Sequence, residues 1–237
     1  MLRETVLAAA LAGIAASLLL TLLQFVWVTP LILTGETYED RAAALEHSHP
    51  PAISAEHHHD ENAWKPQNGL ERSLFTVAAN ALVGVGYAFV LIAVFLFWRA
   101  PKSLGWGVAF GLAGFVVFFV APALGLPPEL PGTAAAELTS RQEWWAMTAL
   151  ATGAGLFLFF SQPRWWIRAL GVVLVIAPHL VPAPQPAVEA SLAPPDLQTH
   201  FRIATTACNA VFWVALGMFT TFAFRRLGLT GTPPQTT

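Results

Sequence analysis

Charge is the scarcest commodity in this chain of 237 residues: Asp, Glu, Lys and Arg make up only 11% of it, against 55% hydrophobic residues. Soluble domains carry about 25% charged residues, so a soluble globular class is excluded. Cysteine is nearly absent. The single Cys208 rules out a disulfide within the chain and any CxxC metal site. There is no basic patch that would suit a nucleic acid. No GxxxxGK[ST] phosphate loop occurs, so the chain is not by itself an ATP-driven motor. HExxH and the nucleophile elbow are missing too, which leaves no hydrolytic motif and argues against an enzyme. Met147, Met218 and Cys208 form no repeated ladder of soft ligands, against a dedicated copper(I) path.

Long apolar runs take the place of charge. A membrane-spanning helix needs about 20 mostly apolar residues, and six stretches approach that length: Val6–Val28, Leu74–Trp98, Leu104–Val120, Trp144–Phe160, Trp165–Val181 and Ile203–Phe224. In lipid the backbone must satisfy its own hydrogen bonds, so these runs are predicted to be helices. The fifth is the weakest, trimmed by Arg168 at its start and Pro178 at its end. The first is longer than the apolar region of a signal peptide and is read as an uncleaved helix. The expected fold is an all-α membrane bundle of about six helices. Residues 1–29 form the first helix and 30–73 a His- and acid-rich loop. Residues 74–227 form a five-helix region with proline-rich loops, and 228–237 a flexible tail.

Sorting the charges by side gives an orientation. One side collects Arg3, Arg99, Lys102, Arg164, Arg168, Arg225 and Arg226, with Glu4 its only acid. The other holds Arg41, Lys65, Arg72, Arg141 and Arg202 with the 13 remaining acids. Short basic loops stay cytoplasmic, so both termini are predicted inside, in a bacterial inner membrane. All seven histidines then lie on the outer, periplasmic or extracellular, side or at its boundary.

Five of those histidines, His47, His49, His57, His58 and His59, fall in one stretch with Glu46, Glu56, Asp60 and Glu61. Imidazole with carboxylate favours borderline divalent cations such as zinc, nickel, cobalt and copper. Alternate residues of an extended chain share a face, which lets His57 and His59 chelate one ion. The competing reading is a solvated loop that binds metal only incidentally. Glu39–Glu46 is predicted to form a short amphipathic helix ahead of it.

Two further outer loops are rich in proline. The run 121–132 is stiff and contains a single acid, Glu129, read either as a turn or capping acid or as a ligand near a pore mouth. His179 follows Pro178, whose missing N–H frees a carbonyl one turn earlier. It is read as a transient ligand or a hydrogen-bonded interfacial residue, and His200 likewise. Within the spans the notable polar residues are neutral, chiefly Gln24, Asn80 and Asn209. Asn80 and Asn209 either line a path or pin helices together. The glycines of Gly84-x-Gly86, Gly107-x-x-x-Gly111 and Gly153-x-Gly155 permit close helix approach.

Taken together these motifs resemble the CbtA family of cobalt transporter subunits, over nearly the whole chain. The most specific segment is Pro122-x-Leu124-Gly125-Leu126-Pro127-Pro128-Glu129-Leu130-Pro131-Gly132. Trp64-x-Pro66-x-x-Gly69-x-x-Arg72, Pro178-His179, Leu197-x-x-x-Phe201 and Asn209-Ala210-Val211-Phe212-Trp213-x-x-x-Gly217 support it. The resemblance implies import of cobalt, linked to cobalamin synthesis, as part of a small complex. The partner it implies is a short His-rich membrane subunit, CbtB. The metal is cargo, with no permanently bound cofactor expected, and an oligomer is compatible with this reading. A non-transporting metal-binding or sensing scaffold, and a nickel or zinc transporter, are the alternatives.

Overall fold

The computed structural model describes residues 2–46, 66–188 and 190–229. It is helical, with no strand among the described residues. Five helices are long and apolar enough to cross a membrane: Leu2–Leu45, Leu70–Phe97, Leu104–Ala123, Leu138–Ser161 and Pro195–Arg226. A sixth apolar helix, Trp165–Leu180, is shorter.

The first helix corrects the expected boundary at Pro30. Helix α1 (Leu2–Leu23) passes through a π-helical turn (Gln24–Val28) straight into α2 (Thr29–Glu46). In the π turn the Thr29 N–H reaches back to the Gln24 carbonyl, so the helix is already widened where the Pro30 ring would clash with an α-helical carbonyl. The polar run that reads as a loop therefore remains helical as far as Glu46. Helix α3 (Leu70–Phe97) descends from there, after a turn at Gly69 (φ 106°). Helix α4 (Leu104–Phe115) repeats the device of the first helix. A π turn (Val116–Val120), with the Ala121 N–H bonded to the Val116 carbonyl, precedes Pro122 in the short α5 (Ala121–Ala123).

Helix α6 (Leu138–Ser161) and α7 (Trp165–Ile176) form an antiparallel hairpin. Gly155 and Gly171 meet so closely that a Cβ on either would sit about 2.5–2.6 Å from the other's carbonyl oxygen. A 3₁₀ turn (Ala177–Leu180) ends α7, since Pro178 cannot donate to the preceding turn. Thus the fifth apolar run is the shortest of the six, ending at Leu180 where the sequence reading placed its end near Pro178. It still retraces its partner: at 1.5 Å per α-helical and 2 Å per 3₁₀ residue it rises about 26 Å, and Trp144 Nε1 donates to the Val181 carbonyl at 3.3 Å.

Small residues set the other crossings. A Cβ on Gly13 would lie 2.5 Å from the Val85 backbone in α3. One on Gly107 would lie 2.6 Å from the Gly217 carbonyl in α8 (Pro195–Arg226). Without a hydrophobic force between helices in lipid, such close backbone approach supplies the dispersion contact. Helix α8 is central and packs on both α1 and α4. Aromatic rings fill what remains: Tyr87, Phe118 and Trp213 lie 4.6–5.5 Å apart between centroids, and Phe95 meets both Phe110 and Phe224.

The alternation of directions puts Arg3, Arg99, Lys102, Arg164, Arg168, Arg225 and Arg226 at one end of the bundle, the basic end. The other, acidic end carries α2 and the loops 124–137 and 181–194.

Candidate vestibule

At the acidic end the proline-rich segment 124–137 folds over the helices as a cap. Gln198, on α8 and only 8% exposed, holds it from below. Its Oε1 accepts the Leu130 N–H at 3.3 Å, and its Nε2 donates to Thr133 Oγ1 at 2.6 Å and Ser191 Oγ at 3.2 Å. The 181–194 loop binds the same segment: Ala134 N–H donates to Ala190 O (2.8 Å), Leu192 N–H to Gly132 O (3.1 Å), and Gln185 Nε2 to Gly125 O (3.2 Å). Gly132 sits at φ 74°, a conformation that glycine adopts without penalty. Arg202 Nε donates to the Pro128 carbonyl at 3.3 Å. A stiff chain thus gets its shape from proline and its position from Gln198, Arg202 and the 181–194 loop.

Under the cap lies an open cavity of about 980 Å³. Its walls come from Ile32 of α2, Phe118 and Phe119 of the second π turn, Pro122, the cap, Arg141, Gln142 and Trp145 of α6, and Phe201 of α8. A smaller, more polar cavity of about 550 Å³ lies on the far face of the cap, among Gln185, Ser191, Gln198 and Arg202. Glu129 lines both. Its carboxylate makes one ion pair, Oε2 to Arg141 Nη2 at 3.3 Å, with both side chains partly exposed. Phe118 lines the larger cavity, and because Pro122 has no N–H its carbonyl lacks an α-helical donor.

A second ion pair ties α2 to α3. Glu36 accepts Arg72 through both carboxylate oxygens, at 2.6 and 3.0 Å, and Arg72 also donates to Asn68 Oδ1 at 3.0 Å. Gly35 of α2 faces Leu130 and Pro131 of the cap. Beyond that clamp α2 runs ten more residues, a rise of about 15 Å, to Glu46, next to the histidine-rich segment. His47, His49, His57, His58 and His59 themselves lie outside the described residues.

The other sequence-predicted residues do not converge. Of them Glu129 alone lines the vestibule. His179 lies against Trp144, ring centroids 6.2 Å apart, at the α6–α7 hairpin. His200 is exposed in the first turns of α8. Among the described residues no three His, Cys, Asp or Glu gather as a metal site. Asn80 joins helices: its Nδ2 donates to Thr21 Oγ1 (2.9 Å) and Gln24 Oε1 (2.6 Å), while its carbonyl accepts Ser17 Oγ (2.7 Å). Asn209 bonds within its own helix, to the Thr205 carbonyl at 3.0 Å. Arg141, Gln142 and Gln198 are the polar groups that sequence reasoning did not single out. The available signal for Arg141 was that Glu129, the one acid of the 121–132 run, needs a base at the same end.

Bundle and vestibule together define a multi-pass helical membrane protein with an open cavity at the end opposite its basic loops. Residues 2–225 match the sequence profile of CbtA, described as a probable cobalt transporter subunit, and the chain belongs to that family. No curated protein and no solved structure matches it.

Proposed function

We propose that the chain is the membrane-embedded subunit of a cobalt importer, a transporter component and not an enzyme. Metal is captured outside the cell by His47, His49, His57, His58 and His59, then handed to Glu129 in the vestibule. One observation carries this reading: the helix that leads into the histidine-rich segment, α2, forms a wall of the chamber containing Glu129. The oxygen donors there, a carboxylate, the Gln142 amide and the Phe118 carbonyl, suit a partly hydrated divalent ion. His179 and His200 act as secondary ligands at the same end, and Asn80 and Asn209 mark the height of the onward route. The seven basic residues at the opposite end orient the protein with the histidines outside a bacterial inner membrane. A subunit needs a partner, and a short His-rich CbtB-like protein is the expected one. Cobalt is cargo throughout.

The test is uptake of radioactive cobalt by cells that lack other importers and carry the chain at its own locus. Replacing the five loop histidines by Ala is expected to raise the external cobalt needed for half-maximal uptake while leaving the maximal rate. Capture should also weaken as pH falls through about 6.5, since imidazole binds metal only when neutral. Unchanged uptake at limiting cobalt would reject capture. Metal binding by the purified protein without flux in vesicles would favour the scaffold reading.

A further inference from the structure

We propose that Arg141 sets the charge selectivity of the vestibule: it occupies Glu129 as a tethered cation that a divalent ion displaces and a monovalent ion does not. The inference rests on the vestibule being a cation site.

The two ion pairs at this end of the bundle are built differently. Glu36–Arg72 engages both carboxylate oxygens, and Asn68 adds a third bond to the guanidinium. That is a structural clamp. Glu129–Arg141 has one bond, at 3.3 Å, on the wall of an open cavity. A single long hydrogen bond between partly exposed groups is weak and easily exchanged. The backbones on either side are fixed. The α6 N-terminus is capped by Glu137, which accepts the N–H groups of Thr139 and Ser140, and Glu129 rides on the cap that Gln198 and Arg202 hold. Only the Arg141 side chain needs to move, and the open side of the cavity gives it room.

Charge decides what can move it. A sodium or potassium ion brings the same unit charge as the guanidinium. It must also displace a guanidinium that its own backbone holds beside the carboxylate. A divalent ion doubles the Coulomb attraction to the same carboxylate at the same distance. Arg202, bonded one residue away at Pro128 and facing the smaller cavity, adds positive potential that further disfavours loosely held monovalent ions. The empty site is thus electrically closed, and opening it requires two charges on one small ion.

The experiment measures cobalt uptake kinetics in cells carrying chromosomal variants of the full chain. Arg141→Gln is expected to lower the KM for cobalt about two- to fivefold, the range set by a partly exposed ion pair. It should also make uptake sensitive to exchanging sodium for a bulky organic cation at constant ionic strength. Arg141→Lys, which keeps the tethered charge, should retain wild-type behaviour on both counts. Glu129→Gln should raise the KM, and adding Arg141→Gln to it should change nothing more. A KM unmoved or raised by Arg141→Gln, or lowered equally in the Glu129→Gln background, overturns the proposal while leaving cobalt transport intact. Absence of wild-type cobalt uptake overturns the transport reading itself. Should Arg141→Gln fail to reach the membrane, Glu129→Gln decides alone: a KM unchanged at normal abundance removes Glu129 from the site, and the latch with it.

Discussion

Replacing Gly217 with Ala tests whether the α4–α8 crossing rests on bare backbone contact. An ideal Cβ at Gly217 would stand 2.8 Å from Gly111 N and 2.9 Å from Gly111 Cα, and closer still to the Gly107 carbonyl. Carbon prefers neighbours near 3.5 Å or beyond, so the helices must separate by about 1 Å or distort. Trp213, Phe212 and Leu216, all under 5% exposed, lose contact as they part. Overpacking of this kind costs about 1–3 kcal/mol. The better helix propensity of Ala returns up to about 1 kcal/mol, leaving a net loss centred on about 1 kcal/mol. The control lies in α3. A Cβ at Gly86 meets nothing within 4 Å, so Gly86→Ala should be neutral or stabilising by up to about 1 kcal/mol. The assay is the thermal midpoint of the purified full-length protein in detergent. A chain of this size shifts by about 2–4 °C per kcal/mol. A Gly217→Ala midpoint equal to wild type, or a Gly86→Ala midpoint equally lowered, would refute the reasoning.

Two other outcomes follow from single side chains. Asn80→Ala leaves Gln24 Oε1 without this donor and takes one of the two bonds from Thr21 Oγ1, which still donates to the Ser17 carbonyl, for a loss of about 1–2 kcal/mol. Asn209→Ala removes a bond confined to one helix and should cost less, so equal midpoints for the two variants would contradict the assignment of Asn80 as a pin. The Glu137 carboxyl is held down at about 2, against an ordinary 4.5, chiefly by the Ser140 N–H and then by Thr139 and the Ser140 hydroxyl. With the folded value depressed, its contribution to the α6 cap is complete above 4.5 and disappears as pH falls through about 2. A carboxyl titration followed by NMR should show that low midpoint, and a value near 4.5 would mean that the cap is not formed.

The apolar runs were legible because lipid imposes a length and a composition. Their ends were not, because the rule that marks them stops applying at the water. Residues 39–46 read as a short helix of their own, but the polar run before them reads as a loop and Pro30 as a stop. Neither signal registers that a π turn two residues earlier makes room for the proline ring. Glycine pairs were ambiguous for a geometric reason. Residues two apart on a helix face different ways, so in Gly84-x-Gly86 only one can touch a partner: Gly84 crowds Ser17 and Gly13, while Gly86 faces open space. The stiffness of the cap could be read from its prolines, but not what holds it. Gln198 lies 68 residues from Leu130 and looks like any polar residue at the start of a helix. His179 and His200, which hydropathy brings to the same end as Glu129, lie outside both cavities, because equal height in a bundle does not mean a shared face.

The acidic end is assembled twice by the same means. Two helices, α1 and α4, reach it through a π turn followed two residues later by proline. Beyond each break an arginine near the start of an oppositely directed helix grips the continuing chain: Arg72 holds the Glu36 carboxylate, and Arg202 the Pro128 carbonyl. The proline in each unit leaves one carbonyl, of Val26 or Phe118, without its α-helical donor. A bilayer-embedded chain usually handles cations with buried acids, which are costly there. Here no acid lies deep in the apolar runs, while Phe118, whose carbonyl has lost its α-helical donor, lines the vestibule. An uncharged oxygen needs no counter-ion when the site is empty and no change of protonation when it fills. Glu129, the carboxylate among the described residues that lines the vestibule, has Arg141 as its counter-ion.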